Sequence, residues 1–354
     1  MLMYAILLLP VVLCCIFLPG KKATLSSLKQ RESDKKTRKR AFWLLLPFFV
    51  MLALKSEDIG ADTYQYTLMF DMSEAGLFDR YYERIEGGYR IFVLLLSKYF
   101  DNPQWQYVIY SVVCFIIIVY FLEKNSYKPE WFVLLFLALN LYAFYMTGLR
   151  QAVAMTICLL AYEKIKEKKL VWFLLLVALA MSFHTAAMFF IPAYFIAHLK
   201  TTRAKIPLYV IIFVFAAIFN EDLFMFAGDA FELEYGIEET SNGYVMIGLM
   251  FIITMLSFIR LKTLIAYNES NKYLIQLNVI HMGLWMLRLF SRTAERATMF
   301  YTFFTILLVE QLILSIKNKE TRAIVNVLVT AFATLYFFYR LPGMGITPFE
   351  FFWN

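Results

Sequence analysis

The sequence predicts an all-α, polytopic integral membrane protein. Of its 354 residues, 61% are hydrophobic, and the mean hydropathy is +0.63, whereas a soluble domain is about half apolar. Apolar runs of membrane-spanning length recur from one end to the other. Residues 1–354 therefore read as a single transmembrane domain, not as a soluble enzyme on an anchor. The basic residues are also sorted: 24 of the 34 lie between alternate apolar runs, and the other ten are eight arginines with Lys55 and Lys98. Backbone in lipid must bond within its own segment, and these runs are too long and too evenly apolar for barrel strands, so they are helices.

Twelve spans satisfy the charge bias. They cover roughly 1–19, 41–54, 105–122, 131–147, 151–163, 170–183, 185–199, 206–219, 243–260, 273–290, 297–316 and 323–340. The first lacks a basic start and a small-residue cleavage site, which predicts an uncleaved helix with an external N-terminus. The block from Lys21 to Arg40 makes 20–40 a basic cytoplasmic loop facing anionic headgroups. Residues 55–84, with Glu57, Asp58, Asp62, Asp71, Glu74, Asp79 and Glu83, form a long external loop. The amphipathic segment 85–100 is read as re-entrant or interfacial. As a full span it would turn Arg150 inward and the Lys164, Lys166, Lys168, Lys169 cluster outward, against the positive-inside bias. Residues 220–242 form a second long, acidic external loop, and loops of this length are often functional. An even number of spans places the C-terminus outside as well. Aromatic residues near span ends, such as Trp105, Trp131 and Phe349 to Trp353, fit an interfacial belt, with carbohydrate stacking as the sharper alternative.

The same features exclude several classes. The net charge of +7 sits in the loops between apolar runs, so nucleic acid is not a partner. Cys14, Cys15, Cys114 and Cys158 all lie within apolar runs and read as small hydrophobes, with no metal-ligand spacing. The absence of a visible repeat gives no support to an inverted-repeat transporter. The chain has no GxxxxGK, GxSxG, HExxH or DxD motif. No cofactor is implied, and a metal-independent site with arginine as its cation fits best.

Four stretches are candidates for chemistry. Gly148 permits a bend before Arg150, which then sits at the outer end of an Ala-rich helix, either snorkelling or gripping an anion. His184 falls where the chain turns between two short spans; it is structural, or it acts as base or donor near neutral pH. Arg288, Arg292 and Arg296 recur every four residues around a required turn near 291–293, with Glu295 among them. Three guanidiniums around one turn repel unless an anion or a salt-bridge network sits there. Finally, Asp62 follows Gly60 in a loop, and Glu86 opens the amphipathic segment. The excess of arginine over lysine outside the cytoplasmic loops points to phosphate or carboxylate, which a planar guanidinium grips in a bidentate way.

At these stretches the chain resembles the EpsG family of exopolysaccharide polymerases, a branch of the Wzy-type polymerases. The matching pieces are Gly60-Ala61-Asp62-Thr63 with Tyr66, Glu86-x-Gly88-Tyr89, Leu149-Arg150-Gln151, Phe183-His184-x-x-Ala187, and Arg296 with Tyr301. The chain departs from the family pattern at Ala61, where a threonine is commoner, and at Lys55, where an arginine is commoner. The resemblance implies a GT-C-like membrane glycosyltransferase of the bacterial cytoplasmic (inner) membrane. Such an enzyme joins polyprenyl-diphosphate-linked oligosaccharide units into an exopolysaccharide, capsule or O-antigen chain on the external leaflet, with a chain-length regulator (polysaccharide co-polymerase) as a partner. In that scheme Arg150, Arg288, Arg292 and Arg296 clamp the leaving diphosphate, and His184, Asp62 or Glu86 takes the acceptor proton. A flippase of lipid-linked oligosaccharide and an O-antigen-ligase-like transferase are the alternatives; a flippase calls for polar residues mid-span, whereas here the charges gather at outer ends.

Overall fold

The computed structural model describes residues 1–18, 27–82, 85–219, 243–289 and 293–353. Its helices are α1 (Leu2–Phe17), α2 (Ser27–Leu54), α3 (Thr63–Glu74), α4 (Phe78–Tyr81), α5 (Gly87–Tyr99), α6 (Gln104–Asn125), α7 (Pro129–Ala138), α8 (Leu141–Thr147) and α9 (Leu149–Lys166). They continue as α10 (Leu170–Met181), α11 (Ile191–Ala197), α12 (Ile206–Ile218), α13 (Tyr244–Ile259), α14 (Leu261–Tyr267), α15 (Asn271–Leu287), α16 (Thr293–Leu314) and α17 (Lys319–Arg340). Among the described residues the only β-pairing is an isolated bridge between Lys55 and Phe351.

Each apolar run coincides with a helix or a helix pair. By length and hydropathy, three of the described helices are long and apolar enough to cross a membrane, or five if each bent pair counts as one span. Helices α1 and α10 are shorter apolar helices, as is the segment Thr185–Ala197. Two segments read as loops contain helices. The basic block is helical from Ser27 onward and continues without a break into α2. Lys, Arg, Glu and Gln are good helix formers, and neither Gly nor Pro interrupts that stretch before Pro47. Residues 55–84 hold α3 and α4. The acidic segment 220–242 lies outside the described residues.

The described residues divide into two compact units: Met1–Leu160 with Ala178–His184 and Asn318–Asn354, and Ala161–Val177 with Thr185–Lys317. In the first unit, α2 packs along α6, and α7 packs against α1, α2 and α17. Arg40 on α2 is ion-paired with the buried Glu130 on α7. The Cys15 carbonyl near the end of α1 accepts Lys128 Nζ at 2.5 Å and Asn326 Nδ2 at 2.8 Å, so this helix-end acceptor is not left bare. Asn326 Oδ1 in turn takes the Trp131 indole N–H at 2.9 Å. Between α7 and α8 the chain bends by 62°. The bend sits at Asn140, whose φ of 68° is a left-handed value that asparagine tolerates better than most residues.

The C-terminal segment runs beside the start of the segment that follows α2. Ser56 N–H donates to Glu350 O at 2.9 Å, Phe352 N–H to Leu54 O at 3.0 Å, and Gly60 N–H to Gly345 O at 3.2 Å. Backbone polar groups of the 54–60 turn are thereby paired with protein instead of facing the bilayer surface.

In the second unit, α15 is the central element and packs against α11, α12, α13 and α16. A chain of hydrogen bonds crosses its interior. Trp285 Nε1 donates to His281 Nε2 (2.9 Å), His281 Nδ1 pairs with Thr305 Oγ1 (2.7 Å), and Thr305 Oγ1 donates to Asn278 Oδ1 (2.9 Å). Asn278 Nδ2 then donates to Thr254 Oγ1 (2.8 Å), which donates to Met250 O (2.7 Å). Because Nε2 accepts from Trp285, the network assigns the imidazole proton to Nδ1, and His281 is neutral.

Candidate active site

The site is built where α2, α5, α8, α9 and the turn after α10 meet in the first unit. Lys55 follows directly on α2 and is 2% exposed. Its ammonium donates to Ile59 O (2.9 Å), Thr63 Oγ1 (2.5 Å) and Met146 O, and it lies 5.0 Å from the centre of the Tyr107 ring. Three N–H groups meet three oxygens, which matches the charged form. Burial pulls the pKa down to about 7, against the attraction of Asp62. Lys55 thus winds the 55–63 loop around itself and docks it on the end of α8. Gly60 is required there: its φ is 93°, and a Cβ would stand 2.5 Å from Met146 O. Two residues beyond Thr147, α9 begins and presents Arg150.

Glu86 occupies the N-cap position of α5 but makes no side-chain cap bond. Its carboxylate instead lies between a guanidinium and an imidazole: one oxygen is paired with Arg150 Nη1, and the other lies 3.2 Å from His184 Nδ1. The histidine contact is an ion pair only when the imidazole is protonated. The α5 N-terminus reaches this position because Gly88 N–H donates to Ser182 O at 2.7 Å, and Gly88 has no side chain to hold the two segments apart. Burial alone would push the Glu86 carboxyl up; His184 and Arg150 outweigh it and hold the pKa at about 2. Glu86 is therefore a fixed anion at neutral pH and a weak base.

Aromatic residues shape the rest of the cluster. The Arg150 guanidinium lies 5.9 Å from the centre of the Tyr89 ring, and Tyr66 meets Tyr89 edge to face at 5.7 Å. Tyr66 and Tyr89 are buried, and burial raises both phenol pKa values against the pull of Arg150. Gln106 ties these rings to α6, donating to Tyr66 O at 3.1 Å and accepting from Tyr89 OH at 3.4 Å.

The residues singled out from sequence are distributed as follows. Glu86, Arg150 and His184, far apart in the chain, come together. Asp62 heads α3, is exposed and makes no side-chain cap bond; its charge is felt by Lys55 and Tyr66. In the second unit Arg288 is buried, and its Nε and Nη2 each lie 2.8 Å from Glu295 Oε2. That is the salt-bridge alternative realised at this residue. Arg296 is exposed, and Arg292 lies outside the described residues. Among the described residues no three His, Cys, Asp or Glu side chains form a metal-ligand group. Sequence reading missed the roles of Lys55 and Tyr89 as supports of Arg150. A lysine directly after an apolar run was the available signal, but it looks the same as one that snorkels.

A helical membrane fold with a guanidinium, an imidazole and buried tyrosines gathered around one carboxylate defines the class: an integral membrane protein. The chain belongs to the EpsG family, a Wzy-type polymerase family, whose sequence model matches residues 41–351 and so nearly the whole chain. No curated protein and no solved structure matches it.

Proposed function

We propose that the chain is a metal-independent membrane glycosyltransferase that polymerises polyprenyl-diphosphate-linked oligosaccharide repeat units on the external leaflet of the bacterial cytoplasmic membrane. The product is an exopolysaccharide, capsule or O-antigen chain. The observation that carries this reading is the Glu86 carboxylate bridging Arg150 and His184 in a chain of the EpsG family. An acceptor hydroxyl of the incoming unit attacks the anomeric carbon of the growing chain. The bond from that carbon to the diphosphate oxygen breaks as the new glycosidic bond forms. Polyprenyl diphosphate leaves with the bonding electron pair, and the hydroxyl proton passes to His184.

Each residue has a stated task. Glu86, held anionic, steadies the imidazole and the guanidinium, much as a third group orients a catalytic base. His184 is favoured over Glu86 as base because a carboxylate with a pKa of about 2 takes up a proton poorly. Asp62 remains the alternative base. Arg150 meets the charge that grows on the departing diphosphate. Arg292 and Arg296 are further candidates for phosphate by the same chemistry, whereas Arg288 is engaged by Glu295. A chain-length regulator is the expected protein partner.

The test is incubation of purified protein with a lipid-linked repeat unit, scored for release of diphosphate lipid and for chain growth. Both products should appear together and should be lost together in Arg150→Ala. Diphosphate release with no chain growth would exclude polymerisation, and normal growth in Arg150→Ala would remove the arginine from the reaction.

A further inference from the structure

Helices α12, α13 and α15 of the second unit enclose a groove of about 580 Å³, within the ~300–1,000 Å³ typical of sites for small organic ligands. Its walls are Phe213, Phe251, Met255 and Met282, with neighbouring aliphatic side chains. Apart from Arg203, two polar residues line it, and both are engaged with protein. Tyr209 OH donates to Gln276 Oε1 at 2.9 Å, and Thr254 Oγ1 is the end of the hydrogen-bond chain from His281. Whatever fills the groove must therefore be apolar along its length. One flank is open: Val210, Val214, Met255 and Ile259 are each about half exposed, and in a membrane domain such side chains face hydrocarbon.

One end is different. Arg203 is the charged member of the lining, and it is held in place. Its Nε donates to Phe258 O at 2.9 Å and its Nη2 to Ile259 O at 2.6 Å, capping the last carbonyls of α13. Two of the five guanidinium N–H groups fix the fork, and the exposed remainder is left for an anion. The surroundings have the same sign. Residues 199–205 and 260–272 carry Lys200, Arg203, Lys205, Arg260, Lys262 and Lys272 against a single acid, Glu269, which pairs with Lys272 at 2.6 Å.

We propose that this groove binds an anionic phospholipid, with one acyl chain lying between α12 and α13 and the phosphate on Arg203, supported by the adjacent Lys205. An apolar slot with a basic mouth fits an amphiphile with an anionic head. The charge bias assigns both basic loops to the cytoplasmic leaflet, where anionic phospholipids reside. That favours a bilayer phospholipid over the polyprenyl substrate, whose diphosphate chemistry belongs to the external side.

Native mass spectrometry of the full chain in detergent tests this, with phosphatidylglycerol, phosphatidylcholine and polyprenyl phosphate added separately at equal concentration. Phosphatidylglycerol should bind about fivefold more than phosphatidylcholine, the weight of roughly one basic residue at a membrane surface. Arg203→Ala should abolish that preference, and Met255→Trp, which fills the groove and leaves the Arg203 contacts in place, should lower retention of both phospholipids. Equal binding of the two phospholipids overturns the proposal. So does a phosphatidylglycerol preference that survives both substitutions, or Arg203-dependent binding of polyprenyl phosphate in excess of phosphatidylglycerol. If Arg203→Ala does not fold, Met255→Trp alone decides: unchanged lipid retention counts against the groove.

Discussion

His184 in the first unit and His281 in the second are both buried, yet they keep different company. His184 lies 3.2 Å from a carboxylate that is also paired with an arginine, in a cluster of groups that carry or exchange charge. His281 sits between an indole N–H and a threonine hydroxyl, in a chain that runs through neutral donors and acceptors to Met250 O. The first arrangement lets an imidazole change protonation state with a counter-charge at hand. The second locks one neutral tautomer, because protonating Nε2 would break the bond from Trp285. The residue type therefore says little; the partners show whether a histidine is set among charged groups or held in a neutral chain. Within lipid, a satisfied neutral chain is a way to join three helices without burying charge.

The largest effects should separate these two histidines. His184→Ala should lower turnover on a lipid-linked repeat unit by about 10²–10⁴-fold per folded molecule, the usual weight of a general base, beyond the stability lost with its share of the Glu86 contact. Substituting His281 should lower stability and leave turnover per folded molecule intact. If His281→Ala lowers turnover at unchanged stability, the division between working and holding histidines is wrong. Next comes Arg150→Ala, with an expected loss of about 10²–10³-fold, typical of removing one donor to developing charge. Arg150→Lys should recover little, since the paired fork over Tyr89 is lost with the guanidinium.

A third test concerns pH. The Glu86 pKa falls from 4.5 to about 2 on folding, so the folded state binds fewer protons at this residue between those values. Its contribution is fully present above pH 4.5 and is lost as pH falls toward 2. It amounts to about 3–4 kcal/mol at about 1.4 kcal/mol per unit. Denaturation of the detergent-solubilised protein should show this loss between pH 5 and pH 3 (about half of it reached by the lower value), and Glu86→Gln should flatten that part of the curve. Identical slopes in the two proteins would show that the carboxylate is not the bridge described.

How much of this was legible in the sequence follows from the range of the interactions. Hydropathy reports a property averaged over one segment, so every apolar run could be placed on a helix. It concealed the helical start of α2, because charged residues lower hydropathy while favouring the helix. Arg150, Glu86 and His184 were each visible as ionisable groups at chain breaks. That one carboxylate joins the other two was not visible, since 64 residues separate Glu86 from Arg150 and nothing local fixes the pairing. The His281 chain left no trace at all: threonine, asparagine and tryptophan in an apolar helix look alike whether they are linked or merely tolerated.

The smallest expected effects lie within that chain and probe its holding role by position. Thr305 is in the middle, bonded to His281 on one side and Asn278 on the other. Thr305→Val keeps the volume but leaves two buried groups unpaired, at a cost of about 1–3 kcal/mol for each. Thr254 is near the end, and Thr254→Val orphans only the Asn278 amide, because the Met250 carbonyl lies within α13 and belongs to its backbone ladder. The end substitution should therefore cost about half as much as the middle one in thermal unfolding, with turnover unaltered in both. A double substitution, Thr254→Val with Asn278→Leu, should cost less than the two single losses combined, since it removes donor and acceptor together. Equal costs at the middle and the end would mean that the bonds are replaceable by water, and the second unit would then owe its cohesion to packing alone.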